Sequence, residues 1–233
     1  MTSLSSSRRS LLIGGGAAAL GIGLLSAESA RAAEPVPPLN PDQALKRLLA
    51  GNTRFIRGRS RHPHQTLKDL HELAAGQHPF AITVGCADSR VSPELLFDQG
   101  LGDLFDNRVA GNIVDDLLLG SIEFAVEEFA SPLVVVLGHE RCGAISATVN
   151  ALRSGGTAPG HIGAIVDALT PIVRPLLDQG GDVVEKAVQA NVRAQARELL
   201  ERSELLAEHV HEGELKVVGA RYDLDTGRVS LLS

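Results

Sequence analysis

Two short apolar runs, Pro79-Phe80-Ala81-Ile82-Thr83-Val84 and Leu133-Val134-Val135-Val136-Leu137, each end in a glycine followed at once by a metal-binding side chain. The first continues as Gly85-Cys86-Ala87-Asp88-Ser89-Arg90, the second as Gly138-His139-Glu140-Arg141-Cys142-Gly143. Apolar, β-branched runs of this length read as strands buried on both faces. A fold built on them delivers Cys86 and His139 at the carboxyl ends of two strands, which is where open parallel sheets hold their ligands. Cys86 and Cys142 are the two cysteines of the chain. Two thiolates and one imidazole form a three-ligand zinc set with a fourth position open, the pattern of a catalytic site.

The rest of the chain alternates strands with helices. Asn40-Pro41-Asp42 has the capping residue, first-turn proline and acid of a helix start, with Ala44, Leu45, Leu48, Leu49 and Phe55 at helical spacing behind it. Helices are expected over 67–75, 93–97, 115–129, 143–152, 165–178 and 183–201, the fifth kinked or broken at Pro171 and Pro175. Further strands are expected over 104–109, 215–222 and 228–232, the last two forming a hairpin around Asp225-Thr226-Gly227. In the 115–129 helix, Leu118, Ile122, Ala125 and Val126 are expected to face inward, and the stretch holding His209 and His211 reads as solvated. The fold class is α/β, with a mostly parallel central sheet, helices on both faces and an antiparallel C-terminal edge strand.

Residues 1–32 read as an address. Ser7-Arg8-Arg9-Ser10-Leu11-Leu12 is a twin-arginine pattern, an apolar stretch runs from 11 to 25, and Ala30-Arg31-Ala32 supplies a cleavage site. The apolar stretch is shorter than the roughly 20 residues that span a bilayer. Residues 33–233 are expected to form one zinc-dependent domain in the periplasm, with secretion as the alternative and no stable membrane partner after cleavage. Removing three arginines and one glutamate with the signal takes the formal charge from −6 to −8. A nucleic-acid partner, which needs a basic footprint, is therefore excluded.

Asp88 and Arg90 follow Cys86 at alternate positions, so all three can face one pocket. Asp88 can bind the metal or act on a water beside it, and Arg90 can hold that carboxylate at two points. Competing readings are a Cys86–Cys142 disulfide, which leaves the nearby His, Asp and Arg unexplained, and a cysteine phosphatase or sulfurtransferase. The phosphatase loop needs an arginine six residues after its cysteine, where this chain has Ser92.

Cys86-Ala87-Asp88-Ser89-Arg90 together with Gly138-His139-x-x-Cys142-Gly143 resembles the β-class carbonic anhydrases. The resemblance extends through Arg108-Val109-Ala110-Gly111-Asn112 and Tyr222-Asp223-x-x-Thr226-Gly227, covering most of residues 40–233. It implies one zinc per chain held by Cys86, His139 and Cys142, Asp88 and Arg90 as the catalytic dyad, and a homodimer or larger assembly. The implied reaction is reversible hydration of carbon dioxide to bicarbonate and a proton by hydroxide on zinc. Hydrolysis of carbonyl sulfide or carbon disulfide on the same fold is the enzymatic alternative, and a non-catalytic zinc-stabilised binding protein the other. Some family members carry a bicarbonate site of Trp, Arg and Tyr. Arg108 and Tyr222 match two of its positions, but Thr83 stands at the third and the chain has no tryptophan.

Overall fold

A computed structural model describes residues 39–232; the expected signal segment lies outside them. In chain order the elements are α1 (Pro41–Ile56), α2 (Leu67–Leu73), β1 (Ala81–Gly85), α3 (Pro93–Leu96), β2 (Leu104–Arg108), α4 (Asp116–Phe129), β3 (Leu133–His139), α5 (Gly143–Ser154) and α6 (Ile162–Val173). A 3₁₀ turn (Arg174–Leu176), α7 (Val183–Arg202), α8 (Glu204–His211), β4 (Lys216–Tyr222) and β5 (Val229–Leu232) complete the chain.

The five strands form one sheet in the order β2-β1-β3-β4-β5. The first four are parallel, and β5 pairs antiparallel with β4 along the edge. Every residue of β1 and β3 is buried. Along β3 the side chains alternate between two cores, as a pleated strand requires. Leu133, Val135 and Leu137 pack with Ala44, Leu48 and Phe97 on one face. Val134 and Val136 pack with Ile122, Ala125, Val192, Leu199 and Leu206 on the other. This double coverage explains the absence of polar alternation in both runs.

The helix starts are built by local hydrogen bonds. Asn40 accepts from the Gln43 amide at 2.9 Å while Gln43 returns the bond to the Asn40 amide at 3.0 Å, a reciprocal cap with Pro41 at the first position. Asp115 caps α4 by accepting from the Leu118 amide at 2.8 Å.

Three expectations shift. In α4 the buried stripe contains Leu119 with Ile122, Ala125 and Val126, and Leu118 is half-buried at its edge. The helix expected over 165–178 begins earlier, continues unbroken through Pro171 and ends at Val173, because Pro175 has no amide hydrogen and the chain tightens into a 3₁₀ turn. The stretch holding His209 and His211 is largely solvated, as expected, but it is also ordered as helix α8, capped by Ser203 and anchored by fully buried Leu206.

Candidate metal centre

Parallel pairing places the ends of β1 and β3 side by side. Gly85 stands opposite Leu137 in register, so Cys86 emerges beside the segment that ends in His139. After His139 the chain must reverse within three residues to bring Cys142 back to the same spot. Arg141 adopts a left-handed backbone conformation (φ 51°) to make that turn, an uncommon state for a residue with a side chain. Cys142 then caps the N-terminus of α5.

The result is one cluster. One ligand atom each from Cys86, His139 and Cys142 lies within 4.8 Å of the others, and all three residues are buried. Both cysteines are free thiols, not a disulfide. The His139 ring is oriented by its own neighbour, with Nδ1 2.9 Å from the Glu140 carbonyl oxygen. Nε2, at the other end of the ring, is buried and has no hydrogen-bond partner. An orphaned buried nitrogen is costly in a folded protein unless something binds it. Facing two thiols, it has the donor chemistry of a zinc site, with the second ring nitrogen locked as metal-binding histidines require.

The two thiols differ in acidity. Cys86 is pulled below the usual thiol range, chiefly because the Cys142 thiol donates to it, with His139 and the Gly111 amide adding to the effect against burial. Cys142 is pushed up by the Cys86 thiolate and by burial, opposed by the Ile145 and Ala144 amides at the start of α5. Metal binding would therefore displace a proton from Cys142.

Asp88 leans over the cluster, with Oδ2 3.9 Å from His139 Nε2. Arg90 grips it at two points, Nε to Oδ1 at 2.9 Å and Nη2 to Oδ2 at 2.7 Å, and its own amide donates to Oδ1 at 3.0 Å. The Arg90 guanidinium holds the Asp88 carboxyl well below the usual carboxylate range, so it is ionised. Arg90 is thus committed to Asp88 and does not cradle an oxyanion over Cys86 as the arginine of a phosphatase loop would.

The expected residues Cys86, Asp88, Arg90, His139 and Cys142 thus come together. Sequence reasoning missed their supports. Arg108 donates from Nε to the Cys86 carbonyl at 2.9 Å and from Nη2 to the Asp88 carbonyl at 2.6 Å, fixing the loop between them. Thr83 and Tyr222, weighed with Arg108 for an anion site, are both buried, and the Thr83 hydroxyl donates to Asp106 instead. Arg221 bridges Glu140, Glu185 and Asp223, and Glu140 accepts from the Leu224 amide at 2.9 Å, tying the His139–Cys142 turn to the chain after β4.

Two other groups bring potential ligands together among the described residues. In the first, all three side chains already have partners, and in the second His209 and Glu214 are paired. Glu140 and Asp223 pair with Arg221, and Asp225 pairs with Arg141. His209 sits between Glu127 and Glu214, 3.1 and 3.0 Å away.

A parallel sheet with two thiols, an imidazole and an arginine-held carboxylate at its carboxyl edge defines an α/β metalloenzyme. The sequence profile described as carbonic anhydrase matches residues 81–229. Carbonic anhydrase 2 of Mycobacterium tuberculosis is 43% identical over 196 residues, covering 84% of this chain and 95% of that protein. Carbonic anhydrase of Mycolicibacterium smegmatis is 41% identical over 198 residues, covering 85% of this chain and 96% of that one. Among solved structures, a tetrameric β-carbonic anhydrase of Sordaria macrospora superposes with TM-score 0.66 at 27% identity, covering 81% and 96% of the two chains. A Coccomyxa β-carbonic anhydrase bound to acetazolamide gives TM-score 0.61 at 26% identity, covering 81% and 86%. The chain belongs to the carbonic anhydrase family, in its β class.

Proposed function

We propose that this chain hydrates carbon dioxide reversibly to bicarbonate and a proton, with one zinc ion held by Cys86, His139 and Cys142. The observation that carries the assignment is the unpartnered Nε2 of His139 facing two free thiols beneath an arginine-clamped Asp88. A zinc ion bound there would supply Lewis acidity that brings the pKa of a water towards neutrality. The chain's own residues do the rest. Ionised Asp88 is an acceptor only, so a hydroxyl group beside it must point its hydrogen at the carboxylate and its lone pair outward, towards the substrate carbon. Arg90 keeps Asp88 ionised and in place, and Arg108 fixes the loop that carries it. The curated relatives favour carbon dioxide over carbonyl sulfide or carbon disulfide.

The same proposal extends to placement and assembly. The twin arginines Arg8 and Arg9, the apolar stretch and Ala30-Arg31-Ala32 support export of residues 33–233 to the periplasm as an already folded enzyme. A homodimer or larger assembly agrees with the tetrameric Sordaria relative.

The test is stopped-flow carbon dioxide hydration on residues 33–233 between about pH 6.5 and 9, with zinc assayed on the same sample. About one zinc per chain and activity rising with pH is the expected result. Full zinc occupancy without hydration at any pH would overturn the assignment. Cell fractionation of the full chain against Arg8→Lys/Arg9→Lys tests export, and light scattering tests assembly.

A further inference from the structure

Helix α7 is lined on its inner side by apolar residues, Ala187, Val188, Val192 and Leu199, yet two amides are buried among them. Asn191 is 1% exposed and Gln195 5%. Four residues apart, they share one side of the helix. Gln195 Nε2 donates to Asn191 Oδ1 at 3.1 Å, so the pair forms one rigid unit. That unit grips both ends of a single loop: Asn191 Nδ2 donates to the Gly111 carbonyl at 2.8 Å, and Gln195 Oε1 accepts from the Val114 amide at 2.8 Å.

The loop so held carries a group that reaches the metal cluster. The Gly111 amide donates to Cys86 Sγ at 3.4 Å. Gly111 has a left-handed backbone (φ 80°), and a Cβ there would lie 3.1 Å from Leu169 and 3.2 Å from Ala144. The loop is thus pressed against α5 and α6 on one side and pinned by the amides of α7 on the other. An N–H directed at a thiolate withdraws charge from the sulfur, and such outer partners tune what a ligand gives its metal.

We propose that Asn191 and Gln195 are positioning residues that hold the Gly111 N–H on Cys86 and thereby set how strongly Cys86 binds and donates to a metal. The inference rests on the metal site proposed above. Its readouts are zinc affinity, by chelator competition, and the sulfur-to-metal charge-transfer band of the cobalt(II)-substituted protein. Two near-isosteric apolar variants, Asn191→Leu and the milder Gln195→Met, remove the grip on either end of the loop. Leu199→Ala is the control, since it opens a cavity in the same helix and on the same side but removes none of the hydrogen bonds that hold the loop.

The expected result is zinc affinity about tenfold weaker in Asn191→Leu, and a charge-transfer band moved to lower energy in both amide variants, with Leu199→Ala at wild-type values. A native band and native affinity in a folded Gln195→Met would overturn the inference while leaving the metal site standing. A shift in Leu199→Ala equal to that in the amide variants would overturn it too, because general loosening of α7 would then suffice. A wild-type protein whose cobalt form shows no thiolate band would remove the metal site itself and this inference with it.

Discussion

Asp88 and Arg90, two residues apart in one loop, form a two-point ion pair in which each carboxylate oxygen meets a different guanidinium nitrogen, at 2.9 and 2.7 Å. The pairing leaves Asp88 ionised throughout the neutral range. Asp88→Asn keeps the shape but adds a donor where an acceptor is needed. Hydration kcat/KM should fall by about 10²-fold or more, with zinc content unchanged. Activity within threefold of wild type would show that the carboxylate plays no part in the reaction. Asp88 should also contribute no limb to the wild-type pH profile between about pH 6 and 9.

The buried cluster predicts a second behaviour. His139→Gln or Cys142→Ser should lose zinc and activity together. Chelator-treated wild type should recover both when zinc is returned. A ligand that binds the native state alone stabilises it, so Tm should rise by about 5 °C or more at saturating zinc. Equal melting of the treated and reloaded protein would mean that zinc does not occupy this pocket.

Asp106 should give the fold a pH dependence. Burial raises its carboxyl to about 7 from 3.8, with Glu94 adding to the effect and Thr83 and Arg108 opposing it. The folded pKa lies above the unfolded one, so the native state holds the extra proton between them. The stabilisation is complete below about pH 4 and is lost as pH rises through about 7. Asp106→Asn removes that titration. The Tm difference, variant minus wild type, should therefore grow more positive from about pH 5 to pH 8. A difference that stays flat would place Asp106 at an ordinary carboxylate pKa.

Gly138 tests the packing behind the histidine. A Cβ there would stand 2.4 Å from Cγ2 of Val192 and 3.2 Å from Cγ1 of Val188. Gly138→Ala should cost about 1–3 kcal/mol, measured by urea unfolding. Adding Val192→Ala should recover part of it, a non-additive pair of the kind contacting residues show. Additive losses would mean that α7 does not press on the sheet at this point.

Much of this site was legible because its chemistry is local. Cys86-x-Asp88-x-Arg90 and His139-x-x-Cys142 each lie within five residues, and each follows a strand that hydrophobicity alone marks. The C-terminal hairpin was legible for the same reason, through Asp225-Thr226-Gly227. Helix α8 was not, because its anchors are a single buried leucine and the bridging of His209 by Glu214, five residues on, and Glu127, 82 residues away. Arg108 was visible only as a possible anion ligand, since its two carbonyl partners are 20 and 22 residues away. The one signal for Asn191 and Gln195 was a pair of amides at helical spacing among apolar residues.

The sequence by itself determined which elements form and what chemistry they carry: two buried strands ending in soft ligands, and an acid beside its own arginine. These follow from side-chain periodicity and donor type, which are properties of short segments. The tertiary structure decided which atoms meet. Parallel register set the cysteine of one strand beside the histidine of another, left Nε2 of that histidine without a partner, and laid the Gly111 amide on a sulfur 25 residues away. Such relations depend on how distant segments pack, and no local pattern encodes them.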